Sequence, residues 1–351
     1  MAEELTAHIG INVESVSAWL AESVDGLQAP FHFELVAGGR SNLTYRVTDA
    51  AGRSVALRRP PVSHVLPTAH DMVREHTILA ALSQTEVPVP KTLGLCTDES
   101  VNERPFYVME FVDGHILRDA ATAEADFSPE IRGVVAGNLA RTLAQLHAVD
   151  PDAIGLGDLA RKDGYIERQL KRWRGQYEQM RVEGVDHGGI VEAVGDALAA
   201  NIPDQQRTSI VHGDYRLDNT VLGDEGDVRA ILDWEICTLG DPMADVGLLL
   251  VYWAEPGDVS AALLGQAPTM APGFSTRDEL LAAYQDATDL DVSKVGFYQA
   301  FGYWKLACIL QGVYARYVAG AGAGDASSVD SFPTHVALLA QTASDALEGV
   351  I

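Results

Sequence analysis

Residues 211–219 read Val-His-Gly-Asp-Tyr-Arg-Leu-Asp-Asn and continue a short apolar run that begins at Ser209. Asp214 and Asn219 follow this run, and a second short apolar run ends at Asp233. Short apolar runs bounded by turn residues are typical of buried strands. We therefore expect a tight loop that turns Asp214 and Asn219 toward one point, and a hairpin that returns Asp233 beside them.

These three side chains match the chemistry of phosphoryl transfer from a nucleotide. That reaction needs a carboxylate beside the acceptor hydroxyl, oxygen ligands for Mg²⁺, a cation at the phosphates and backbone amides above them. Asp214 is predicted to accept a hydrogen bond from the acceptor hydroxyl. Asn219 and Asp233 offer the hard oxygen atoms that Mg²⁺ prefers.

The size and charge of the chain limit its architecture and its partners. It has 351 residues, of which 47% are hydrophobic, and this is enough for two domains or lobes. Its formal net charge is −25 at pH 7. Such a field repels nucleic acid and anionic membranes, so neither is expected as a partner. The acidity itself is interpreted as a contribution to solubility.

The cysteines and the apolar runs indicate a cytoplasmic protein. Cys96, Cys237 and Cys308 are far apart, odd in number and without CxxC spacing, which argues against a disulfide framework and a cysteine zinc site. Residues 1–30 lack the apolar stretch after positive charge that marks a signal peptide. The longest apolar run, residues 246–254, is too short to span a bilayer.

The hydrophobic pattern divides the chain into three parts and predicts an α+β fold. Residues 1–29 have helical spacing. Residues 30–113 contain alternating segments between glycine turns, which predicts a five-stranded sheet carrying one helix. Residues 114–351 are mainly helical in pattern, apart from the two short strands around Asp214 and Asp233.

Several helix starts are marked by capping residues. Asn12 is predicted to cap the first helix, Ser128 a helix that begins at Pro129, and Asp163 a further helix. The aromatic run at residues 297–304 is expected to be helix core, and a cage for a cationic ligand is the alternative.

The motifs resemble a known family when they are taken together. The segments at 211–219 and 231–235 resemble the catalytic loop and the metal-binding motif of the aminoglycoside phosphotransferase and choline kinase families, which are relatives of the protein kinases. The similarity is greatest to the phosphotransferase-like group that is also found fused to acyl-CoA dehydrogenases. Seven motifs occur in the family's order: "GGRSNLTYRV", "VALRRP", "REHTILAAL", "FYVMEFVDG", "VHGDYRLDN", "ILDWE" and "GDPMADVG".

The resemblance implies a protein-kinase-like two-lobed fold. In this interpretation, an N-terminal helical segment spans residues 1–29. A small antiparallel-sheet N-lobe with one helix, at residues 30–113, binds the nucleotide. A larger, mainly helical C-lobe, at residues 114–351, carries the catalytic loop and the acceptor site.

The resemblance also implies which residues bind ATP. Arg58 lies where kinases carry lysine and would touch the α and β phosphates, with Glu75 as its partner. Arginine keeps the charge but presents a planar fork instead of a point charge. The alternative for this pair is a surface arginine and a solvated glutamate.

The loop that covers the nucleotide would be Gly38, Gly39, Arg40, Ser41 and Asn42, and its alternative is a hairpin turn that binds nothing. The hinge that reads the adenine edge would be Met109, Glu110, Phe111 and Val112.

The same resemblance assigns roles in the catalytic loop. Asp214 would orient the acceptor hydroxyl, and Asn219 and Asp233 would hold Mg²⁺. Arg216 lies where kinases often place a cation that faces the γ-phosphate, and a solvated arginine is the alternative.

The following motif implies support for the loop and a small acceptor. Asp241 and Asp245 would brace the catalytic loop through hydrogen bonds. The short "DWE" segment is followed closely by "GDPMADVG", without a long activation segment or an APE motif. This disfavours a protein kinase and favours a small-molecule hydroxyl as acceptor.

The acceptor itself is predicted less directly. Residues 161–181 contain seven of the 25 lysines and arginines. They form either a solvated helix face or a patch for an anionic substrate, such as a hydroxyacyl-CoA or a phosphorylated or carboxylated hydroxy compound. The alternative function is a non-catalytic nucleotide-binding module that acts through a partner. The sequence leaves open the acceptor, the oligomeric state and the choice between ATP and GTP.

Overall fold

A computed structural model describes residues 9–37, 42–62, 71–258, 267–320 and 329–350. The chain divides into two compact units. The first comprises Met1–Gly114, Ile154–Leu156 and Arg229–Glu235, and the second comprises His115–Ala153, Gly157–Val228 and Ile236–Ile351.

The first unit is built on a five-stranded antiparallel sheet. Its strands are β1 (His32–Ala37), β2 (Leu43–Thr48), β3 (Ser54–Arg59), β4 (Thr92–Cys96) and β5 (Phe106–Glu110). They lie in the order β1-β2-β3-β5-β4. Leu43, Tyr45 and Val47 alternate along β2 and are all buried, so one face of the strand lies in the core.

Three helices accompany the sheet among the described residues of this unit: α1 (Val13–Ser23), α2 (Met72–Leu82) and α3 (Glu99–Asn102). Asn12 caps α1 as predicted, because its side chain accepts a hydrogen bond from the Ser15 N–H at 3.3 Å. Val16 and Leu20 of α1 join the same core cluster as Tyr45. The predicted helix α2 packs against β4 and β5. The sheet therefore carries more helix than the pattern predicted.

The second unit is mainly helical. Its helices are α4 (Ala120–Asp126), α5 (Pro129–Ala148), α6 (Tyr165–Gln179), α7 (Ile190–Ala200), α8 (Met243–Tyr252), α9 (Arg277–Asp286), α10 (Val295–Val318) and α11 (Phe332–Leu347). Four short strands, β6 (Ser209–Val211), β7 (Thr220–Leu222), β8 (Val228–Ile231) and β9 (Thr238–Gly240), occur between α7 and α8. Strands β6 and β9 pair antiparallel. Through most of β8 the chain belongs to the first unit.

The predicted fold class is confirmed, with one correction at a helix start. Ser128 caps α5 and Pro129 occupies its first turn, as predicted. The prediction that Asp163 caps the next helix is wrong. Gly164 occupies the cap position with φ 65° and no side-chain hydrogen bond, because glycine adopts the left-handed conformation at little cost. Within the described ranges, no helix is long and apolar enough to cross a membrane.

Helices α8 and α10 pack closely because glycine lies where they meet. A Cβ atom on Gly247 of α8 would collide with the backbone carbonyl of Tyr298 in α10, and one on Gly302 would lie 3.0 Å from Val251. The aromatic run at residues 297–304 is almost entirely buried, which confirms that it is helix core. The close approach of these two helices fixes the side chains that each sends toward the catalytic loop.

Candidate active site

The predicted catalytic loop follows β6 and is held through its backbone. The N–H groups of His212 and Gly213 donate to the Asp245 carboxylate at 2.6 and 2.8 Å. Although burial opposes it, hydrogen bonds from His147 and Gly213 hold the pKa of Asp245 below its ordinary value. Gly213 has φ 87°, a conformation that favours glycine. Asp245 therefore braces the loop in the way the motif suggested.

Asp241 has a different function. Its carboxylate accepts hydrogen bonds from the Met243 N–H at 3.0 Å and from the Tyr298 hydroxyl at 2.7 Å. These bonds hold the start of α8 against α10. The expectation that Asp241 braces the catalytic loop directly is therefore wrong, and its support reaches the loop through α8.

Asp214 and Asn219 lie side by side at the end of this loop. The Asn219 amide nitrogen donates to the backbone oxygen and to a carboxylate oxygen of Asp214, both at 2.9 Å. This fixes the direction of the Asn219 amide, and its oxygen is the atom left to ligate a cation. The loop thus brings together the two residues that the spacing predicted to meet.

Arg216 is tied to the acids around it. Its Nε lies 3.5 Å from an Asp214 oxygen and its Nη2 lies 2.6 Å from Asp218, while the guanidinium stacks on Tyr252 at 4.6 Å. Burial raises the pKa of Asp218, and Arg216 opposes that rise. Burial also raises the pKa of Tyr252, which hydrogen-bonds Asp214. Arg216 therefore lies beside the Asp214 carboxylate, but two carboxylates and a ring already engage it.

Tyr252 and Lys305 are two neighbours of the loop that sequence reasoning missed. The Lys305 ammonium donates to the Gly213 carbonyl at 3.3 Å and lies 5.7 Å from the centre of the Trp173 ring. Burial lowers the pKa of Lys305, and Asp214 and Asp245 oppose that change. The one available signal was a lysine within an otherwise apolar helical run, which requires a partner. Tyr252, at the end of α8, gave no comparable signal.

In the first unit, Arg58 pairs with Glu75, the partner that the resemblance implied, and also with Asp233, which the resemblance implied only as a Mg²⁺ ligand. Its Nε donates to Glu75 at 2.9 Å, and an Nη group donates to the Asp233 carboxylate. Although burial lowers it, the charges of Glu75, Asp233 and Glu235 hold the pKa of Arg58 above its ordinary value. The side chain is therefore a permanent cation held in one orientation.

Glu75 is the buried centre of this network. Its carboxylate also accepts hydrogen bonds from the Asn42 amide at 2.8 Å and from the Tyr107 hydroxyl at 3.1 Å. Burial raises the pKa of Glu75, and Arg58 opposes the rise. Asn42 also donates to Glu235 at 3.2 Å. Sequence reasoning missed Glu235, although its place two residues after Asp233 in "LDWE" was a usable signal.

Asp233 has an unusual backbone conformation. Its φ of 63° lies in the left-handed region, which few residues other than glycine adopt. Its side chain is 30% exposed. Within the described ranges, no three His, Cys, Asp or Glu side chains cluster as metal ligands. A single carboxylate is still compatible with Mg²⁺, which usually takes several of its ligands from phosphates and water.

The remaining predicted nucleotide contacts are less defined. Gly38, Gly39, Arg40 and Ser41 lie outside the described residues, and of the predicted covering loop only Asn42 is described. Met109 is buried and Glu110 ends β5, while Phe111 and Val112 follow the strand half-buried. The Arg46 guanidinium lies 4.6 Å from the centre of the Phe111 ring. The hinge role of these residues stays a prediction.

Five of the seven cations of the basic segment separate into two sets, while Lys162 pairs with Asp152. Arg174 pairs with Asp196, and Arg181 lies 3.6 Å from Glu192. The second set lines an open groove of about 660 Å³ in which no carboxylate takes part. The groove is formed by Arg168, Lys171, Arg172, Gly175, Gln176, Gln179, Met180 and Arg316. We call it the basic groove.

Comparison with known proteins identifies the family. The model of the phosphotransferase enzyme family matches residues 32–289. The chain belongs to this family. The family resemblance drawn from the motifs is therefore confirmed.

Relatives of this phosphotransferase-family chain include both curated proteins and solved structures. Acyl-CoA dehydrogenase family member 10 of Mus musculus is 35% identical over 288 residues, which cover 80% of this chain and 26% of that protein. The chain spans 41% of family member 11 of Rattus norvegicus. It thus covers less than half of these relatives.

Two solved structures show the shared fold. A Ralstonia eutropha protein described as a candidate aminoglycoside phosphotransferase is 32% identical, with a TM-score of 0.79 and coverage of 96% of this chain and 98% of that one. Amicoumacin kinase, solved with AMP-PNP and Ca²⁺, is 17% identical, with a TM-score of 0.59 and coverage of 97% and 96%. The protein-kinase-like fold of the family is therefore confirmed for this chain.

Proposed function

We propose that this chain catalyses Mg²⁺-dependent transfer of the γ-phosphoryl group of ATP to a hydroxyl of a small molecule. The observation that carries the proposal is the Asp214 carboxylate. It is oriented by the Asn219 amide on a loop that Asp245 clamps. In this role Asp214 accepts a hydrogen bond from the acceptor hydroxyl. This hydrogen bond orients the hydroxyl oxygen toward the phosphorus atom of the γ-phosphate.

Other residues would hold the nucleotide and the metal. The Asn219 amide oxygen and the Asp233 carboxylate are the proposed Mg²⁺ ligands. When bound, Mg²⁺ neutralises charge that develops on the transferred phosphoryl group. Arg58 uses three of its five N–H donors on Thr44, Glu75 and Asp233, which leaves two for phosphate oxygens. The nucleotide and metal named for amicoumacin kinase support this assignment.

We also propose that the acceptor carries an anionic group, such as a hydroxyacyl-CoA. A series of contacts runs from the catalytic loop to the basic groove. Lys305 touches the Gly213 carbonyl and the Trp173 ring, and Arg172 lies 5.2 Å from the centre of that ring. A phosphate or carboxylate in the groove would meet cations from two helices. The names of the acyl-CoA dehydrogenase relatives fit this class of acceptor.

The test is transfer of labelled phosphate from ATP to a panel of hydroxylated metabolites, including hydroxyacyl-CoAs. Asp214→Ala should reduce turnover by about a hundredfold or more while ATP affinity stays close to that of the wild type. The exposed Asp286→Ala serves as a matched control and should keep full turnover. Near-normal turnover in Asp214→Ala would remove the assigned role.

A non-catalytic nucleotide-binding module is the competing function. It predicts ATP binding without transfer to any acceptor on the panel or to water. It also predicts equal ATP affinity in Asp214→Ala and the wild type, so transfer and not binding separates the two proposals.

A further inference from the structure

We infer that Lys305 is a positioning residue for phosphoryl transfer, because its ammonium fixes the Gly213 carbonyl and with it the direction in which Asp214 presents its carboxylate. The inference rests on the proposed function of Asp214. Lys305 comes from α10, and its ammonium lies 3.3 Å from the Gly213 oxygen.

A charged side chain at position 305 costs desolvation free energy that an apolar side chain would avoid. Its side chain enters a narrow cavity between helices α8 and α10, lined by Tyr165, Gly213, Ala244, Asp245, Leu248, Phe301 and Gly302. A partly buried ammonium loses hydration that one carbonyl replaces only in part. Methionine would fill the same space without that loss. Packing alone therefore does not explain a lysine here.

The Gly213 residue is held from both sides. Its N–H donates to Asp245 of α8, and its carbonyl accepts from Lys305 of α10. Glycine has more conformational freedom than any other residue, so an unclamped Gly213 would let the next peptide plane rotate. That plane carries the Asp214 N–H, which donates to His212 Nδ1 at 3.3 Å. Lys305 thus completes the set of contacts that orient Asp214.

Lys305 also contacts the helix that carries the basic groove. Its ammonium lies over the Trp173 ring of α6, at a distance typical of a cation–π interaction. The same atom therefore touches the loop that carries Asp214 and the helix that lines the groove. A displaced lysine would lose both contacts at once.

The activity test uses Lys305→Met, Lys305→Arg and Lys305→Ala. Turnover is measured with the acceptor from the panel, and with water as acceptor when the panel gives none. Lys305→Met should lower kcat by about tenfold or more, the loss expected for one charge-assisted hydrogen bond, with KM for ATP unchanged. Lys305→Arg should recover part of kcat. Lys294→Met, at the start of the same helix and exposed, should behave as the wild type.

Chemical rescue separates positioning from simple packing. Propylammonium ions, which match the atoms removed in Lys305→Ala, should restore part of kcat in that variant. Tetramethylammonium at equal ionic strength should not, because it has no N–H donor. A kcat loss that neither arginine nor propylammonium repairs would assign Lys305 to packing and overturn the inference.

A second readout does not depend on activity. In nucleotide-free protein, amide hydrogen exchange at residues 212–214 should be faster in Lys305→Met than in the wild type, with Tm little changed. Absence of any phosphoryl transfer by the wild type would defeat the proposed function, and exchange would still decide the role of Lys305. Wild-type exchange rates in Lys305→Met, or wild-type kcat in an active enzyme, would overturn the inference.

Discussion

Asp233 combines a backbone conformation that is unfavourable for its residue type with a side chain that is a candidate metal ligand. Its left-handed backbone is unfavourable for most side chains, and strained conformations of this kind concentrate at functional sites. One carboxylate oxygen binds Arg58, while the side chain stays partly exposed. A residue selected only for packing would more often be glycine at this φ. The backbone conformation therefore adds a physical reason to test Asp233 as a metal ligand.

Asp233→Asn should weaken nucleotide binding in the presence of Mg²⁺ by about tenfold or more, and should change Mg²⁺-free binding little. Asparagine tolerates the left-handed conformation, so the change removes charge without refolding the backbone. Titration calorimetry with and without Mg²⁺ measures the difference, and the exposed Asp25→Asn is the control. Equal Mg²⁺ dependence in Asp233→Asn and the wild type would exclude a direct metal contact.

The sequence predicted local residue pairs and missed distant ones. Asp214 and Asn219 share one tight loop, so their contact follows from spacing. Lys305 lies 92 positions from Gly213, and its contact arises only when α8 and α10 pack. Hydrophobic periodicity in the sequence predicts which face of a helix is buried, but it does not predict which loop that face contacts. The contact between Lys305 and Gly213 therefore could not be predicted.

At the scale of elements, the crossing of α8 and α10 sets the geometry of the loop. Gly247→Ala should destabilise the protein by about 1–3 kcal/mol, because the new methyl group overlaps the backbone of α10. Gly175→Ala, in α6, meets no atom within 4 Å and should raise stability by about 0.5–1 kcal/mol. Urea unfolding of both variants measures the contrast. A neutral Gly247→Ala would show that the helices can separate.

A second element-scale prediction concerns pH. The His115 imidazole lies 3.1 Å from both Asp126 and Asp224. Burial acts against it, but the hydrogen bonds to these acids raise the pKa of His115 above its ordinary value. A raised folded-state pKa adds stability that is complete below the unfolded pKa of about 6.5 and is lost as pH rises through the folded pKa.

His115→Gln should therefore cost more stability at about pH 5.5 than at about pH 8.5. Unfolding free energies at the two pH values measure this difference. His335→Gln is the control, because His335 has no ion pair among the described residues. A cost independent of pH would mean that His115 acts only as a neutral hydrogen-bonding group.

Helix starts could be predicted only in part, for a physical reason. Asn12 and Ser128 cap through side-chain oxygens, which the sequence displays directly. The start of α6 depends on the backbone angle of Gly164, and the neighbouring Asp163 gave a competing signal. Existence and type of the elements follow from periodicity, whereas their ends depend on individual dihedral angles.

For the whole molecule, the basic groove opposes the net charge. A chain with a formal net charge of −25 repels anions at long range, whereas the cations of the basic groove attract them at short range. Lys171 and Arg172 are exposed there, whereas Arg174 has Asp196 as a partner. An anionic acceptor would depend on the first pair and not on Arg174.

Lys171→Gln combined with Arg172→Gln should raise KM for an anionic acceptor by about tenfold per desolvated contact, and should leave KM for ATP unchanged. Arg174→Gln is the matched control and should have little effect. The difference should shrink in high salt where contacts are exposed. Unchanged acceptor kinetics in the double variant, or a polycationic acceptor, would assign these side chains to a solvated helix face.

The close crossing at Gly247 has a wider consequence for how proteins with this arrangement can diversify. Asp245 lies on α8 and Lys305 lies on α10, and these helices pack in close contact at Gly247. The two side chains that hydrogen-bond Gly213 are therefore held in a fixed relative position. The basic groove, by contrast, is lined largely by the outer surface of α6. Under the proposed function, substitutions on that surface would change which acceptor is bound and would leave the contacts of Gly213 with Asp245 and Lys305 intact.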